Sequence, residues 1–309
     1  MMKVLRIGTR GSALALAQTS IIAEKIRKRH PDLRLEIVRI KTTGDKMKDV
    51  APAKIGGKGV FVKEIEDALL KKEVHCAVHS LKDVPAQIPE GLEIDIVPER
   101  EDARDVLISK GNRKLEDYPD GATIGTGSLR RGIQLRNRMR GIQIVPIRGN
   151  LDTRIRKIEQ DGLDGIIVAA AGINRMGWTD RVSQYLPVEV MLPAVGQGAL
   201  GIESRRDDAE TKALLAFLDH EDTRTAVMAE RAFLRVFGGG CQLPLAAYAR
   251  RMNEKMVLVA MVGSIDGSVI IKDQIVASVS KCEAAGKELA EGIMAKGGRE
   301  IMDEVYGSD

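Results

Sequence analysis

The sequence predicts an α/β architecture: two similar lobes around a cleft, followed by a small α+β domain. Three patterns point to it. Short apolar runs alternate with helical stretches in βαβα order from Val4 to Val97, which is how a parallel-type sheet covered by helices reads. The alternation restarts after Arg100-Glu101-Asp102-Ala103-Arg104-Asp105, and Ile7-Gly8-Thr9-Arg10-Gly11-Ser12 is echoed by Ile124-Gly125-Thr126-Gly127-Ser128. From Thr223 onward a helix, a run of strands and a second helix form a different unit.

Val4 to Gly8 reads as a strand, and Ser12 as the N-cap of an amphipathic helix over Ala13 to Arg29. Leu33 to Ile40 is the next strand. Lys41 to Val60 is rich in lysine and glycine and reads as a long surface loop, a class that is often functional. Helical spacing of apolar residues predicts a helix over Val62 to Leu70. Val74 to Val78 is a buried strand running into His79-Ser80-Leu81-Lys82-Asp83-Val84-Pro85, and Leu92 to Val97 is another strand. In the second lobe the strands are Val106 to Ser109, Thr123 to Gly125, Ile142 to Ile147 and Gly165 to Ala169. Its helices are Ser128 to Met139 and Leu151 to Gln160. Leu192 to Glu203 is expected to cross back into the first sheet. The last unit has a helix from Thr223 to Phe237, strands near Ala246 to Ala249, Val257 to Val262 and Val269 to Ala277, and a helix over Glu283 to Lys296. Asp266-Gly267 reads as its hairpin turn. The domain bounds are then 1–98 with 199–217, 104–193, and 221–309.

With 309 residues, 44% hydrophobic and 30% charged, the chain has the make-up of a soluble multidomain protein. No apolar run approaches the ~20 residues that span a bilayer. The opening Met1-Met2-Lys3-Val4-Leu5-Arg6-Ile7 goes into a strand too short for a secretion signal, so a cytoplasmic location is expected. Cys76, Cys241 and Cys282 show no metal-ligand spacing, and neither a disulfide framework nor a metal site is expected. Cys76, inside Val74-His75-Cys76-Ala77-Val78, reads as core. A net charge of +4 and 3% aromatic residues argue against a nucleic-acid surface.

Cationic residues recur where strands end: Arg10, Lys54, Lys58, Lys82, Arg130, Arg131, Arg148, Arg154 and Arg175. Ligands of open α/β sheets bind at that edge, and guanidinium groups fork onto carboxylates. Both glycine-threonine turns open helices, whose free N–H groups favour anions. Asp83 reads either as a turn cap or as an acid facing the same edge. Gly238-Gly239-Gly240-Cys241-Gln242-Leu243-Pro244 likewise has two readings. It is a glycine helix stop before a small buried cysteine, or a thiol presented on a permissive loop.

Taken together, these segments resemble the hydroxymethylbilane synthase (porphobilinogen deaminase) family. The likeness spans essentially the whole chain. It runs through Arg6–Ser12, Lys54–Glu64, Ala77–Pro85, Ile124–Arg131, Ile147–Asn150, Leu192–Gly198 and Gly239–Cys241. It implies two lobes like periplasmic binding proteins around a cleft, plus a third domain bearing Cys241. It further implies a dipyrromethane cofactor held through a thioether on Cys241. Onto this primer four porphobilinogen molecules are added with loss of ammonia, before linear hydroxymethylbilane is released for tetrapyrrole synthesis. By the same matching the resemblance implies that Asp83 is the catalytic carboxylate, chiefly stabilising positive charge that develops on the pyrroles. Ser12, Lys58, Ser80, Lys82, Thr126, Ser128, Arg130 and Arg131 would hold the cofactor. Arg10, Lys54, Phe61, Arg148, Arg154, Arg175 and Gln197 would hold substrate, with the Lys41–Val60 loop as a flap. The resemblance implies a monomer. Two departures stand out: Gly127, where relatives often carry serine, and Thr43, where they often carry a basic residue.

Overall fold

The computed structural model describes residues 2–46, 59, 61–239 and 243–306. In chain order the strands and helices are β1 (Val4–Arg10), α1 (Ala13–Arg29), β2 (Arg34–Ile40), α2 (Thr43–Lys46), α3 (Lys63–Leu70), β3 (Cys76–Ser80) and β4 (Leu92–Ile96). They continue with β5 (Asp105–Ser109), β6 (Thr123–Gly125), α4 (Leu129–Arg138), β7 (Gln143–Val145), α5 (Leu151–Gln160), β8 (Gly165–Ala169), α6 (Ala170–Arg175) and β9 (Gln184–Leu186). Then come β10 (Leu200–Arg205), α7 (Ala209–Leu215), α8 (Glu221–Val236), β11 (Leu245–Met252), β12 (Lys255–Gly263), β13 (Ile270–Ser278), α9 (Cys282–Ile293) and α10 (Arg299–Tyr306).

The chain divides into two compact units, Met1–Glu101 with Ala199–Arg224, and Asp102–Gly198 with Thr225–Asp309. The first holds a five-stranded sheet in the order β2-β1-β3-β10-β4. Strand β1 runs parallel to β2 and β3, whereas β10 is antiparallel to both neighbours. Its core packs Leu5, Ile7, Ile22, Ile26, Val78 and Ile202, joining the buried stripe of α1 to one face of the sheet. The expected return of the chain into this sheet is β10.

The second unit carries a five-stranded sheet in the order β7-β6-β8-β5-β9 and a three-stranded antiparallel sheet, β11-β12-β13. Strand β6 is parallel to β7 and β8, while β5 is antiparallel to β8 and β9. The two five-stranded sheets therefore share one plan: parallel strands at one side, then an antiparallel strand and an edge strand. The parallel-type reading holds for β1, β2 and β3 and for β6, β7 and β8, and each sheet adds one reversed strand. Strands β5 and β10 run the other way because each is entered from the other sheet's last strand, and alternating apolar residues do not encode direction.

Local chemistry accounts for the helix ends. The Ser12 Oγ accepts a hydrogen bond from the Ala15 N–H (3.3 Å) and the Ser128 Oγ one from the Arg131 N–H (3.5 Å), so both glycine-threonine turns end in a serine cap. Helix α8 stops at Gly238 and Gly239, whose φ values of 79° and 77° lie in the left-handed region that glycine tolerates best. Cys76 is core, and burial pushes its thiol up to about 12.

Candidate active site

In the first unit, the β1–β3 register (Ile7 beside Cys76, Gly8 beside Ala77) brings the C-terminal ends of both strands to one sheet edge. Arg10 ends β1 and Ser12 follows it; Ser80 ends β3, and Lys82 and Asp83 sit on the short 3-10 turn Leu81–Asp83. The Arg10 guanidinium lies 4.3 Å from the centre of the Phe61 ring, a cation–π contact that holds the arginine over the start of α3. Asp83 is half-buried, and its carboxylate has no hydrogen-bond or ion-pair partner among the described residues. Thr43, one of the two departures, spends its N–H and hydroxyl on Glu64 Oε1, at 2.8 and 2.5 Å. Lys54, Lys58, Cys241 and most of the proposed flap lie outside the described residues.

Beneath β3 lies a buried acid cluster. His79 Nε2 is 2.9 Å from Glu203 Oε2, and burial together with the Glu203 charge raises the Glu66 carboxyl to about 7, against an opposing pull from His79.

In the second unit, β6, β7 and β8 also end at a common edge, and the turns after them carry the remaining candidates. Thr126 Oγ1 accepts from the Ser128 N–H (3.2 Å), and Ser128 caps α4. Both hydroxyls thus accept from backbone and keep their own protons to donate. A Cβ on Gly127 would come within 2.6 Å of the Ile147 carbonyl oxygen, so this turn presses backbone against backbone. The absent serine leaves a cradle that this chain could not fill without shifting the turn after β7. Arg148 is exposed just beyond β7. Arg154 Nε donates to the Gly149 carbonyl (2.8 Å), and Arg175 Nη2 to the Gly198 carbonyl (2.7 Å).

Arg130 and Arg131 are not surface arginines. They are 4% and 5% exposed and converge on Asp105, which is fully buried. Arg130 Nη1 donates to Asp105 Oδ2 at 2.7 Å, and Arg131 donates through Nε (3.1 Å) and Nη2 (2.7 Å) to Oδ1. Burial pushes the Asp105 carboxyl up, but the two guanidinium groups overrule it and hold it well below the usual carboxylate range. Gln197, 1% exposed, joins the cluster: its Nε2 donates to Asp105 Oδ1 (2.9 Å) and its Oε1 accepts from Arg130 Nη2 (3.2 Å). Sequence reasoning gave Asp105 no role. Its one signal was an acid opening the apolar strand Val106-Leu107-Ile108.

Two buried guanidinium groups and one carboxylate leave one positive charge uncompensated among the charged groups that face them. Arg130 Nε is moreover buried with no acceptor among the described residues. A carboxylate-bearing ligand at the start of α4 would satisfy both, so the residues present fit the acid side chains of a dipyrromethane.

Comparison with known proteins agrees over nearly the full length. Residues 5–213 match the family model described as porphobilinogen deaminase, dipyromethane cofactor binding domain, and residues 224–295 match the porphobilinogen deaminase C-terminal domain. A porphobilinogen deaminase of Syntrophus aciditrophicus is 55% identical over 97% of this chain and 98% of its own. One of Geobacter metallireducens is 52% identical over 98% and 95%. Among solved structures, the periplasmic aliphatic sulphonate binding protein SsuA from Escherichia coli overlaps with a TM-score of 0.40 at 14% identity, covering 76% of this chain and 71% of that one. The motifs in order and these sequence matches lead to one conclusion: the chain belongs to the porphobilinogen deaminase family.

Proposed function

We propose that Cys241 carries the dipyrromethane through a thioether and that Asp83 is the catalytic carboxylate. The reaction is the family's: four porphobilinogen molecules are condensed in turn onto the primer with loss of ammonia, and linear hydroxymethylbilane is released. The bound dipyrromethane supplies the pyrrole carbon to which the first unit is joined. Everything else falls to side chains of the chain itself. Loss of ammonia leaves positive charge spread over a pyrrole ring, and a carboxylate held near the ring nitrogens stabilises it. Asp83 suits this because no partner among the described residues competes for its oxygens. Arg10, Lys54, Arg148, Arg154 and Arg175 bind acetate and propionate groups, and Phe61 keeps Arg10 in place. Ser12, Lys58, Ser80, Lys82, Thr126 and Ser128 hold the primer with Arg130 and Arg131.

The observation that carries this reading is the unbalanced positive charge of the Arg130–Asp105–Arg131 cluster at the cap of α4. A cytoplasmic monomer of three domains, 1–98 with 199–217, 104–193 and 221–309, belongs to the same proposal. It is supported by the three separate sheets and the absence among the described residues of a helix able to cross a membrane. The test is the intact mass of denatured protein from cells that make porphobilinogen. Wild type is expected to carry a dipyrrole adduct that Cys241→Ala lacks. An unmodified wild type, or an adduct that survives the substitution, refutes the attachment.

A further inference from the structure

We infer that Asp105 is a positioning residue: with Gln197 it aims the guanidinium groups of Arg130 and Arg131 and cancels only one of their two charges. The inference rests on the reading of those arginines as acid-binding groups.

Arg130 and Arg131 are consecutive on α4, and consecutive helix residues point about 100° apart. They do not meet unless something draws them together. Asp105 does so from outside the helix. It opens β5, where it is paired with Ala169 of β8 on one side and Leu186 of β9 on the other, so its backbone is held from both edges. Oδ2 takes Arg130 and Oδ1 takes Arg131 twice, in the geometry already given. Gln197 fixes what remains. Its Nε2 faces three acceptors, Asp105 Oδ1, the Ala103 carbonyl (2.6 Å) and the Arg104 carbonyl (3.3 Å), and its Oε1 faces an arginine donor, so the amide has one orientation. Arg130 Nη1 also donates to the Leu192 carbonyl (2.7 Å), and Arg131 Nη1 to the Ile167 carbonyl (3.2 Å). The guanidinium planes are thus set by β5, β8 and the 192–197 segment rather than by the helix that bears them.

A single carboxylate between the two arginines has a second consequence. A pair balanced by two acids would have no charge left for a ligand. A pair with none would hold two like charges in a dry site. One acid leaves the cluster singly positive at every working pH, since Asp105 stays ionised throughout.

The experiment compares apoproteins of wild type, Asp105→Asn, Asp105→Glu and Leu115→Ala, the last a core control in the same unit. Each is incubated with porphobilinogen, and the adduct on Cys241 is followed by intact mass beside thermal unfolding of the apo form. The KM of the primed fraction is also measured. Asp105→Asn is expected to prime at least about tenfold more slowly at equal folded fraction, with KM raised by a similar factor. Asp105→Glu keeps the charge but displaces it and should recover only part. Leu115→Ala should lose stability and prime normally. If Asp105→Asn fails to fold, Asp105→Glu decides alone, and wild-type priming and KM in it overturn the inference. So does a loss in Asp105→Asn no greater than that of the equally destabilised control, because a packing role would explain it. A wild type that never gains an adduct overturns the parent reading. A normally primed Asp105→Asn beside a primed wild type overturns this one only.

Discussion

Asp83 and Asp105 are both aspartates in charged surroundings, and their environments assign them opposite tasks. Asp105 is sealed and its oxygens are committed to two arginines and a glutamine, so it holds geometry. Asp83 is half-buried at the end of β3 with its oxygens uncommitted among the described residues, so it can answer to charge on a ligand. Replacing it with its neutral isostere tests this directly. Asp83→Asn should lower kcat by roughly a hundredfold or more, the scale of a lost electrostatic stabiliser, with circular dichroism and melting temperature unchanged. Near-normal turnover would remove Asp83 from the mechanism. Sequence pattern alone left Asp83 between a turn cap and a site acid. The carboxylate makes no capping hydrogen bond among the described residues, which depends on where the turn sits in space rather than on its pattern.

At the scale of elements, helix α8 leads to the left-handed glycines that precede Cys241, and its position depends on α9. Gly286 of α9 packs on α8 so closely that a Cβ there would strike the Ala229 carbonyl oxygen and lie 2.9 Å from the Ala232 Cβ. Gly286→Ala must therefore push the helices apart. Overpacking of this kind costs about 1–3 kcal/mol. The melting temperature should fall by several degrees, and priming of Cys241 should slow with it. An unchanged melting temperature would show that the helices yield without strain. Strong periodic elements were legible: α5 and β8 occupy the predicted residues. The short α6, β9 and α7 were not, since fragments this short carry too few turns or alternations to show a period and are held by neighbours. The predicted helix over Glu283 to Lys296 is α9 as far as Ile293 and then a π-helical turn over Met294–Gly298, which ends where Gly297 takes a φ of 105°.

For the molecule as a whole, two buried acids give opposite responses to pH. Glu66 in the first unit binds a proton more tightly folded (about 7) than unfolded (4.5). Its contribution is full below about pH 4.5 and lost as pH rises through 7. Asp105 in the second unit is depressed, so its contribution is present above the ordinary carboxylate range and lost as pH falls below about 4. Between roughly pH 5 and 7.5 the wild type should lose stability relative to Glu66→Gln, measured as the difference in melting temperature. Parallel curves for the two proteins would show that Glu66 titrates normally.

What the sequence determined by itself was local or linear: alternating strands and helices, serine caps after glycine turns, and motifs in family order with Cys241 and Asp83 among them. Hydrogen bonds to near neighbours and the rhythm of apolar residues are written along the chain, so they can be read from it. Tertiary structure alone decided the direction of β5 and β10, the His79–Glu203 pair and the burial of Arg130 and Arg131 around Asp105. Those depend on residues far apart in the chain meeting where water is excluded, and there a charge acts through the partner it meets rather than through its neighbours in sequence.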